Sequence, residues 1–195
     1  MNSEEELENL REFQGANQDE FWEEHKRGIK GEEYVGDSEI VPIGKIFPYF
    51  AYGSNIDKRK MRKITGKFGE FFPAVLKGYK LKFNKVAKAG NGEGYANIIK
   101  DSNETVEGVV YFISMLSLKR LEKWEGCPEH YERTIVEIEK KASNEKLKVW
   151  TFIANQNKVE DNLKPKREYL QCLLNGKEFL SSEYYKKLLS VETLD

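Results

Sequence analysis

The sequence predicts an α+β domain in which a small, mixed and mostly antiparallel β-sheet or β-barrel is flanked by helices. Two segments, VEGVVYFI at 106–113 and LKVWTFIA at 147–154, are rich in the β-branched and aromatic residues that are typical of strands. Short turns separate most neighbouring strands, which favours antiparallel pairing. Four amphipathic segments lie between or after the strands and would pack as helices on the outside of the sheet.

The individual elements follow from hydrophobic periodicity and from turn residues. Strands are predicted, in chain order, at 46–52, 73–86, 95–100, 106–113, 131–141 and 147–155. Helices are predicted at 56–64, 116–125, 165–175 and 181–190. Gly176 is expected to end the third helix, and Ser181 or Ser182 to cap the fourth. The predicted order is therefore β-α-β-β-β-α-β-β-α-α.

Residues 1–40 differ in composition from the rest and are predicted to be an acidic N-terminal extension to a domain formed by 41–195. They carry 13 acidic and 4 basic residues. Ser3 and Glu6 form a capping-box pattern ahead of apolar residues at helical spacing, among them Leu7 and Leu10. We expect this segment either to dock on the domain through those apolar residues or to be mobile.

Composition narrows the classes of function. Two cysteines and two histidines are too few for a disulfide scaffold or a His/Cys metal cluster. No apolar run reaches the roughly 18 to 20 residues that a membrane span needs, and the acidic N-terminus is unlike a signal peptide, so we expect a cytoplasmic protein. The basic residues are dispersed rather than blocked, which favours a small anionic ligand over nucleic acid.

The first candidate site is the turn in FPYFAYGSNIDKRKM, residues 47–61. An aromatic strand ends at Tyr52, and Gly53, Ser54 and Asn55 lead directly into a predicted helix. Unpaired backbone N–H groups at a helix N-terminus, with the positive end of the helix dipole behind them, can bind a carboxylate or a phosphate. The alternative is that Asn55 or Asp57 simply caps the helix and no ligand binds there.

The second candidate site is Glu125, near the end of a predicted helix. Leu118, Leu121 and Glu125 are spaced i, i+3, i+7, so the carboxylate shares the apolar face of the helix. Burial would raise its pKa and suit it to proton transfer near neutral pH, and Gly126 could end the helix beside it. The alternative is a half-exposed glutamate at a frayed helix end.

Two further patterns are weaker candidates for functional sites. Three glycines in AGNGEGYANI, residues 89–98, imitate a dinucleotide-binding loop, but a strand rather than a helix follows them, so a hairpin or a mobile loop is the better interpretation. Cys127 and His130 could form a Cys–His pair. No P-loop, HExxH or GxSxG motif is present in the sequence.

Taken together, four segments resemble the γ-glutamylcyclotransferase (AIG2-like) family over about residues 46–191. They are YFAYGSN at 49–55, VEGVVYFI at 106–113, LEKWEG at 121–126 followed by Tyr131, and KPKREYLQCLLNGKEFLSSEYYKKL at 164–188. The resemblance implies a small mixed β-barrel flanked by helices. It also implies a cofactor-free and metal-free enzyme that converts γ-glutamyl amino acids or amines to 5-oxoproline and the free amine.

The resemblance assigns roles to particular residues. Glu125 matches the family's acid/base glutamate. The residues expected to bind the glutamyl group or line its pocket are Tyr52, Gly53, Ser54, Asn55, Ile56, Tyr131 and Tyr169. Phe152 stands where the family has a further pocket tyrosine, and the spacing from Glu125-Gly126 to Tyr131 is short.

The resulting hypothesis is an enzyme acting on a small γ-glutamyl substrate, as a monomer or a homodimer, without nucleic acid or membrane as partner. The α-amine of the substrate would attack its own γ-carbonyl, so that no serine or cysteine nucleophile is required. A relative acting on a γ-glutamyl-masked metabolic intermediate is one alternative. Another is a non-catalytic module that binds a γ-glutamyl group or a carboxylate, with residues 1–40 facing a partner.

Overall fold

A computed structural model describes residues 46–87 and 90–195. The expected capping box at Ser3 and Glu6, the docking or mobility of residues 1–40 and the domain boundary near residue 41 lie outside the described residues. Within the described ranges, no helix combines the length and the apolar character that a membrane-spanning helix needs.

Five strands close into a barrel in the order β1-β3-β2-β4-β5. Neighbouring strands in this order pair antiparallel, and β5 returns to β1 through a parallel contact between Tyr49 and Trp150. The mixed, mostly antiparallel barrel that the sequence predicts is therefore confirmed. The strands are β1 Ile46–Ala51, β2 Phe71–Val86, β3 Gly94–Ser114, β4 Tyr131–Lys140 and β5 Lys146–Ala154.

One strand prediction is wrong, because 95–100 and 106–113 are two ends of the single strand β3. The polar residues between them suggest a turn, yet both ends pair with β2. The register shifts between Lys77 and Tyr79, where Gly78 has a φ of 77° that other residues rarely adopt. Residues 101–104 of β3 thus lie opposite the single residue Gly78 of β2, so β3 bulges there without ending the ladder.

Among the described residues, four α-helices flank the barrel close to their predicted positions. They are α1 Lys58–Thr65, α2 Met115–Glu125, α3 Arg167–Leu174 and α4 Ser182–Leu189. The Ser114 side chain caps α2 by accepting from Ser117 N–H, and Ser181 caps α4 by accepting from Tyr184 N–H. The prediction of a serine cap for α4 is confirmed at Ser181.

Gly176 has a different role from the one expected of it. Its φ is −82°, so it is not a left-handed helix stop, and α3 ends at Leu174 before it. A methyl group at Gly176 would lie 1.7 Å from Ile56 Cγ2. Glycine is therefore required here because the chain after α3 packs directly against the turn that follows β1.

The glycine-rich segment connects β2 to β3, in agreement with the hairpin interpretation. Glu93 N–H donates to the Gly90 carbonyl, and Ala87 N–H donates to the Glu93 carbonyl. Gly94 already belongs to β3, where a side chain would collide with the Phe83 carbonyl. The segment therefore opens a strand, whereas the dinucleotide fingerprint requires a helix at this point.

Candidate active site

The turn after β1 is built differently from the simple strand-to-helix junction that the sequence suggests. A 3-10 turn, Ser54–Ile56, precedes α1, and α1 begins only at Lys58. The Asp57 side chain accepts from Arg59 N–H and so caps the helix. Asp57 as the cap agrees with the capping alternative, and its carboxylate lies at the positive end of the α1 dipole, whereas anion binding at the turn stays a prediction.

Asp57 also fastens the turn to α3. Burial alone would raise the pKa of this carboxyl, but hydrogen bonds from Arg59 and Asn175 outweigh burial and hold the pKa below its ordinary value. Asn175 Nδ2 lies 2.6 Å from Asp57 Oδ2. The carboxylate that caps α1 thus also ties the turn to the end of α3.

Because Asp57 provides the cap, Asn55 is available for another role. Its side chain is buried, at 3% exposure. Asn55 Nδ2 lies 2.7 Å from Glu125 Oε1 and 3.0 Å from the Tyr49 hydroxyl. Asn55 Oδ1 is buried and has no hydrogen-bond partner in the described part of the chain. A buried amide oxygen of this kind is rarely left unpaired, so the site offers an acceptor to a bound donor.

Glu125 is the last residue of α2. Leu118 and Leu121 on the same face are buried, and Gly126 ends the helix in the left-handed conformation that the sequence predicts, with a φ of 69°. Burial raises the pKa of Glu125 above its ordinary value. The hydrogen bond from Asn55 and the charges of Lys60 and Lys85 lower it, without cancelling the effect of burial.

Four tyrosines surround this carboxylate, and burial followed by neighbouring charges raises the pKa of each. The Glu125 charge contributes to the shift in all four, which places every one of them within its electrostatic range. They are Tyr49, Tyr52, Tyr131 and Tyr169. Their hydroxyls consequently stay protonated near neutral pH and can act as hydrogen-bond donors.

Three of these tyrosines are held by backbone contacts across the barrel. The Tyr52 hydroxyl donates to the Phe152 carbonyl at 2.5 Å, and the Tyr131 hydroxyl donates to the Ala96 carbonyl at 2.9 Å. The Tyr169 hydroxyl accepts from Ala96 N–H at 3.0 Å. These bonds fix the rings around Glu125 and leave little freedom for the pocket wall to move.

Gly53 lies where the turn approaches β3 closely. A methyl group there would lie 3.1 Å from the Ala96 side chain and 3.5 Å from the Tyr169 hydroxyl. Ile56 has another role than the one expected: its side chain is completely buried and packs against Gly176, while its carbonyl accepts from the Tyr111 hydroxyl. Ile56 therefore supports the turn from below, and it presents no exposed surface to a ligand.

Phe152, where the resemblance leads one to expect a tyrosine, contributes in two ways. Its carbonyl accepts from Tyr52, and its ring centroid lies 5.6 Å from that of Tyr49. It therefore packs among the pocket tyrosines but supplies no hydroxyl of its own.

Sequence reasoning missed three residues of the site: Tyr49, Lys60 and Lys85. Tyr49 lies inside a uniformly apolar strand, so nothing in the pattern distinguishes it. Lys85 belongs to a lysine-rich strand, yet it is only 3% exposed and its Nζ lies 5.6 Å from the ring centroids of both Tyr95 and Tyr131. A second register shift in β2, between Lys82 and Lys85, breaks the alternation that would have indicated its position.

Cys127 does not fit the role of a catalytic thiol. Burial raises the pKa of the thiol, which disfavours the reactive thiolate at neutral pH. Among residues 46–87 and 90–195, no group of three or more His, Cys, Asp or Glu side chains is arranged to hold a metal ion.

Comparison with known proteins identifies the family. The family model described as "Gamma-glutamyl cyclotransferase, AIG2-like" matches residues 49–171. The chain is 31% identical over 160 residues to a γ-glutamylcyclotransferase of Bos taurus, covering 78% of this chain and 82% of the relative. It is 28% identical over 160 residues to a γ-glutamylcyclotransferase of Homo sapiens, covering 79% and 83%.

A solved structure agrees with the sequence comparisons. A structure titled "Gamma-glutamyl cyclotransferase" superposes with a TM-score of 0.70 at 25% identity, covering 77% of this chain and 90% of that one. The segment that the family model matches, 49–171, includes the turn after β1, Glu125, Tyr131 and Tyr169. On these findings, the chain belongs to the γ-glutamyl cyclotransferase, AIG2-like family.

Proposed function

We propose that this protein is a γ-glutamylcyclotransferase that converts a γ-glutamyl amino acid or amine to 5-oxoproline and the free amine, with Glu125 as the acid/base residue. The observation that carries the proposal is the pair formed by Glu125 and Asn55. A carboxylate with a raised pKa lies beside a buried amide whose oxygen lacks a partner in the described residues. Together they offer two acceptors to an ammonium group, which is the donor that a γ-glutamyl substrate carries.

The chemistry needs no nucleophile from the protein. The α-amine nitrogen of the substrate forms a bond to its own γ-carbonyl carbon, and the amide bond to the leaving amine breaks. The α-nitrogen loses two protons as its ammonium becomes the N–H of 5-oxoproline. Glu125 accepts these protons in turn and passes them to the leaving nitrogen, which departs as a protonated amine, so the protonation state of Glu125 is restored at the end of the cycle. The site has to hold the chain bent so that the two reacting atoms meet.

The turn after β1 is suited to the negative charges of the substrate. Ile56 and Asp57 use their N–H groups inside the turn, donating to the carbonyls of Gly53 and Ser54. Asn55 precedes them, and its N–H group lies outside this i to i−3 ladder, whereas the Ser54 N–H group lies within hydrogen-bonding range of the Tyr169 hydroxyl. We assign the Asn55 N–H group and the nearby tyrosine hydroxyls to the α-carboxylate and to the oxygen of the reacting carbonyl.

The buried environment gives Glu125 a pKa suited to both halves of the proton transfer. An ordinary glutamate is too weak a base to take a proton from an ammonium group efficiently at neutral pH. Burial raises the pKa of Glu125, and the hydrogen bond from Asn55 opposes that rise by stabilising the ionised form. The same carboxyl can therefore accept the first proton and return it.

The test is 5-oxoproline release from γ-glutamyl amino acids, γ-glutamyl-ε-lysine and glutathione. We expect Glu125→Gln to lower kcat by about 100- to 10,000-fold, the range typical of a lost general acid/base. The matched control is Glu129→Gln, four residues further on and exposed, which should retain wild-type activity. Full activity in Glu125→Gln would refute the assigned role. Binding of γ-glutamyl compounds without turnover of any would favour a non-catalytic binding module.

A further inference from the structure

The rim of the site carries a cation, Lys60, whose direct contacts in the described structure are with a hydroxyl and two aromatic rings. Lys60 Nζ donates to Ser54 Oγ at 2.6 Å, and it lies 5.7 Å from the ring centroids of both Trp124 and Tyr169. No carboxylate of the described residues lies within ion-pair distance of it. Lys58, on the same helix, instead pairs with Glu178 at 2.8 Å. The Lys60 ammonium is therefore available to an anion that arrives with a ligand.

Trp124 is the second unusual feature of this rim. Its side chain belongs to the residue directly before Glu125, and it is 54% exposed. A large aromatic ring exposed to solvent beside the partly buried carboxylate of Glu125 offers an apolar surface next to the reacting centre. Lys60 and Trp124 together present a cation and an apolar face at one place.

This inference rests on the proposed function. The chemistry of the leaving group then determines what Lys60 and Trp124 can bind. Glu125 must reach the leaving nitrogen at about 2.6–3.2 Å to return the proton. In an α-amino acid, the carboxylate carbon lies only about 2.5 Å from that nitrogen, because a single carbon separates them. The carboxylate of such a leaving group must therefore lie in the immediate surroundings of Glu125, where the charge of Lys60 acts.

We propose that Lys60 and Trp124 form a leaving-group subsite that selects γ-glutamyl α-amino acids over γ-glutamyl amines. Lys60 pairs with the α-carboxylate of the leaving amino acid, and the Trp124 ring packs against its side chain. In γ-glutamyl-ε-lysine the α-carboxylate lies five carbons from the leaving nitrogen and passes beyond Lys60. The subsite therefore disfavours both simple amines and ε-linked lysine.

The decisive experiment compares two substrates that differ only in this carboxylate, γ-glutamyl-alanine and γ-glutamyl-ethylamine. Wild type should prefer γ-glutamyl-alanine by about 30-fold in kcat/KM, and Lys60→Met should reduce that preference about 10-fold or more. Lys63→Met, which removes an exposed lysine of the same helix, should keep the wild-type preference. Trp124→Ala should reduce the preference for γ-glutamyl-phenylalanine over γ-glutamyl-alanine by about 3- to 10-fold.

The substrate ratio also separates this inference from the proposed function. Equal losses on both substrates in Lys60→Met would mean that Lys60 positions the turn through Ser54, and the subsite would be refuted while the enzyme activity stands. A wild type without preference between γ-glutamyl-alanine and γ-glutamyl-ethylamine would also refute the subsite. Absence of 5-oxoproline from every substrate would refute the proposed function, and the subsite with it.

Discussion

The side-chain amide of Asn55 donates to the Glu125 carboxylate across 2.7 Å, joining the turn after β1 to the end of α2, seventy residues further along the chain. The contact exists because Asp57, rather than Asn55, caps α1. It affects the chemistry of the site, since it stabilises the ionised form of a carboxyl whose pKa is raised by burial.

Asn55→Ala should therefore change the pH dependence of the reaction as well as its rate. The hydrogen bond from Asn55 lowers the pKa of Glu125, so its loss raises that pKa further. The acid limb of kcat/KM should move to higher pH, and kcat/KM at neutral pH should fall by about 10- to 100-fold, as for a lost hydrogen bond to a charged group. Asn103→Ala, at an exposed position of β3, is the control. An unshifted acid limb in Asn55→Ala would argue that Glu125 is not the titrating base.

Glu125→Gln should increase stability as it removes activity. A carboxyl whose pKa is raised on folding is easier to ionise in the unfolded chain. Its contribution to the free energy of unfolding therefore falls as pH rises from the ordinary glutamate pKa to the raised value in the folded protein. Chemical denaturation should give Glu125→Gln and wild type the same free energy of unfolding near pH 4. Toward neutral pH, the free energy of unfolding of the variant should increasingly exceed that of wild type.

The matched comparison for stability is again Glu129→Gln. Its carboxylate is exposed, so the difference in free energy of unfolding between Glu129→Gln and wild type should not change over the same pH range. A Glu125→Gln variant less stable than wild type at neutral pH would mean that the ionised carboxylate is fully compensated where it lies, contrary to the effect of burial.

Much of the fold follows from local patterns. β-branched and aromatic runs indicate the strands, and small polar residues indicate the helix caps, because both depend on neighbours in sequence. The error in β3 arises where local chemistry and pairing disagree: the polar residues between 100 and 106 favour a turn, but they form a bulge of β3 opposite Gly78, and β3 pairs with β2 on both sides of it. That bulge depends on the partner strand, which a local pattern does not contain.

The residues of the candidate site likewise divide into those that a local pattern predicts and those that depend on contacts between elements. Glu125 could be found because its helical spacing places it with Leu118 and Leu121, a relation within one element. Lys85 could not be found, because a register shift turns it inward among lysines that otherwise face solvent. The role of Asn55 could not be predicted either, because the sequence does not show whether Asn55 or Asp57 caps α1.

Gly176→Ala should destabilise the turn from behind. The added methyl group would lie 1.7 Å from Ile56 Cγ2, and overpacking of this kind typically costs about 1–3 kcal/mol. Because Ile56 closes the 3-10 turn that carries Asn55, kcat/KM should fall together with the free energy of unfolding.

A double-mutant cycle tests whether the collision with Ile56 is the cause. Ile56→Ala alone should cost about 2–5 kcal/mol through the cavity it leaves. It also removes Cγ2, so the double variant should be destabilised by less than the sum of the two single variants. Additive losses would mean that Gly176→Ala acts elsewhere.

Lys85→Met tests the inner charge of the site. The positive charge of Lys85 lowers the pKa of Glu125, after the larger effects of burial and Asn55, so its removal raises that pKa and should move the acid limb of kcat/KM to higher pH. Methionine conserves much of the volume between the rings of Tyr95 and Tyr131.

The control for Lys85 is Lys82→Met. Lys82 lies on the same strand, is partly exposed and has the carboxylate of Asp161 3.6 Å from its Nζ, so the same loss of charge occurs away from the pocket. The acid limb of kcat/KM in Lys82→Met should coincide with that of wild type. Equal shifts in both variants would indicate a general effect of net charge, whereas a shift confined to Lys85→Met would show that this buried lysine lowers the pKa of Glu125.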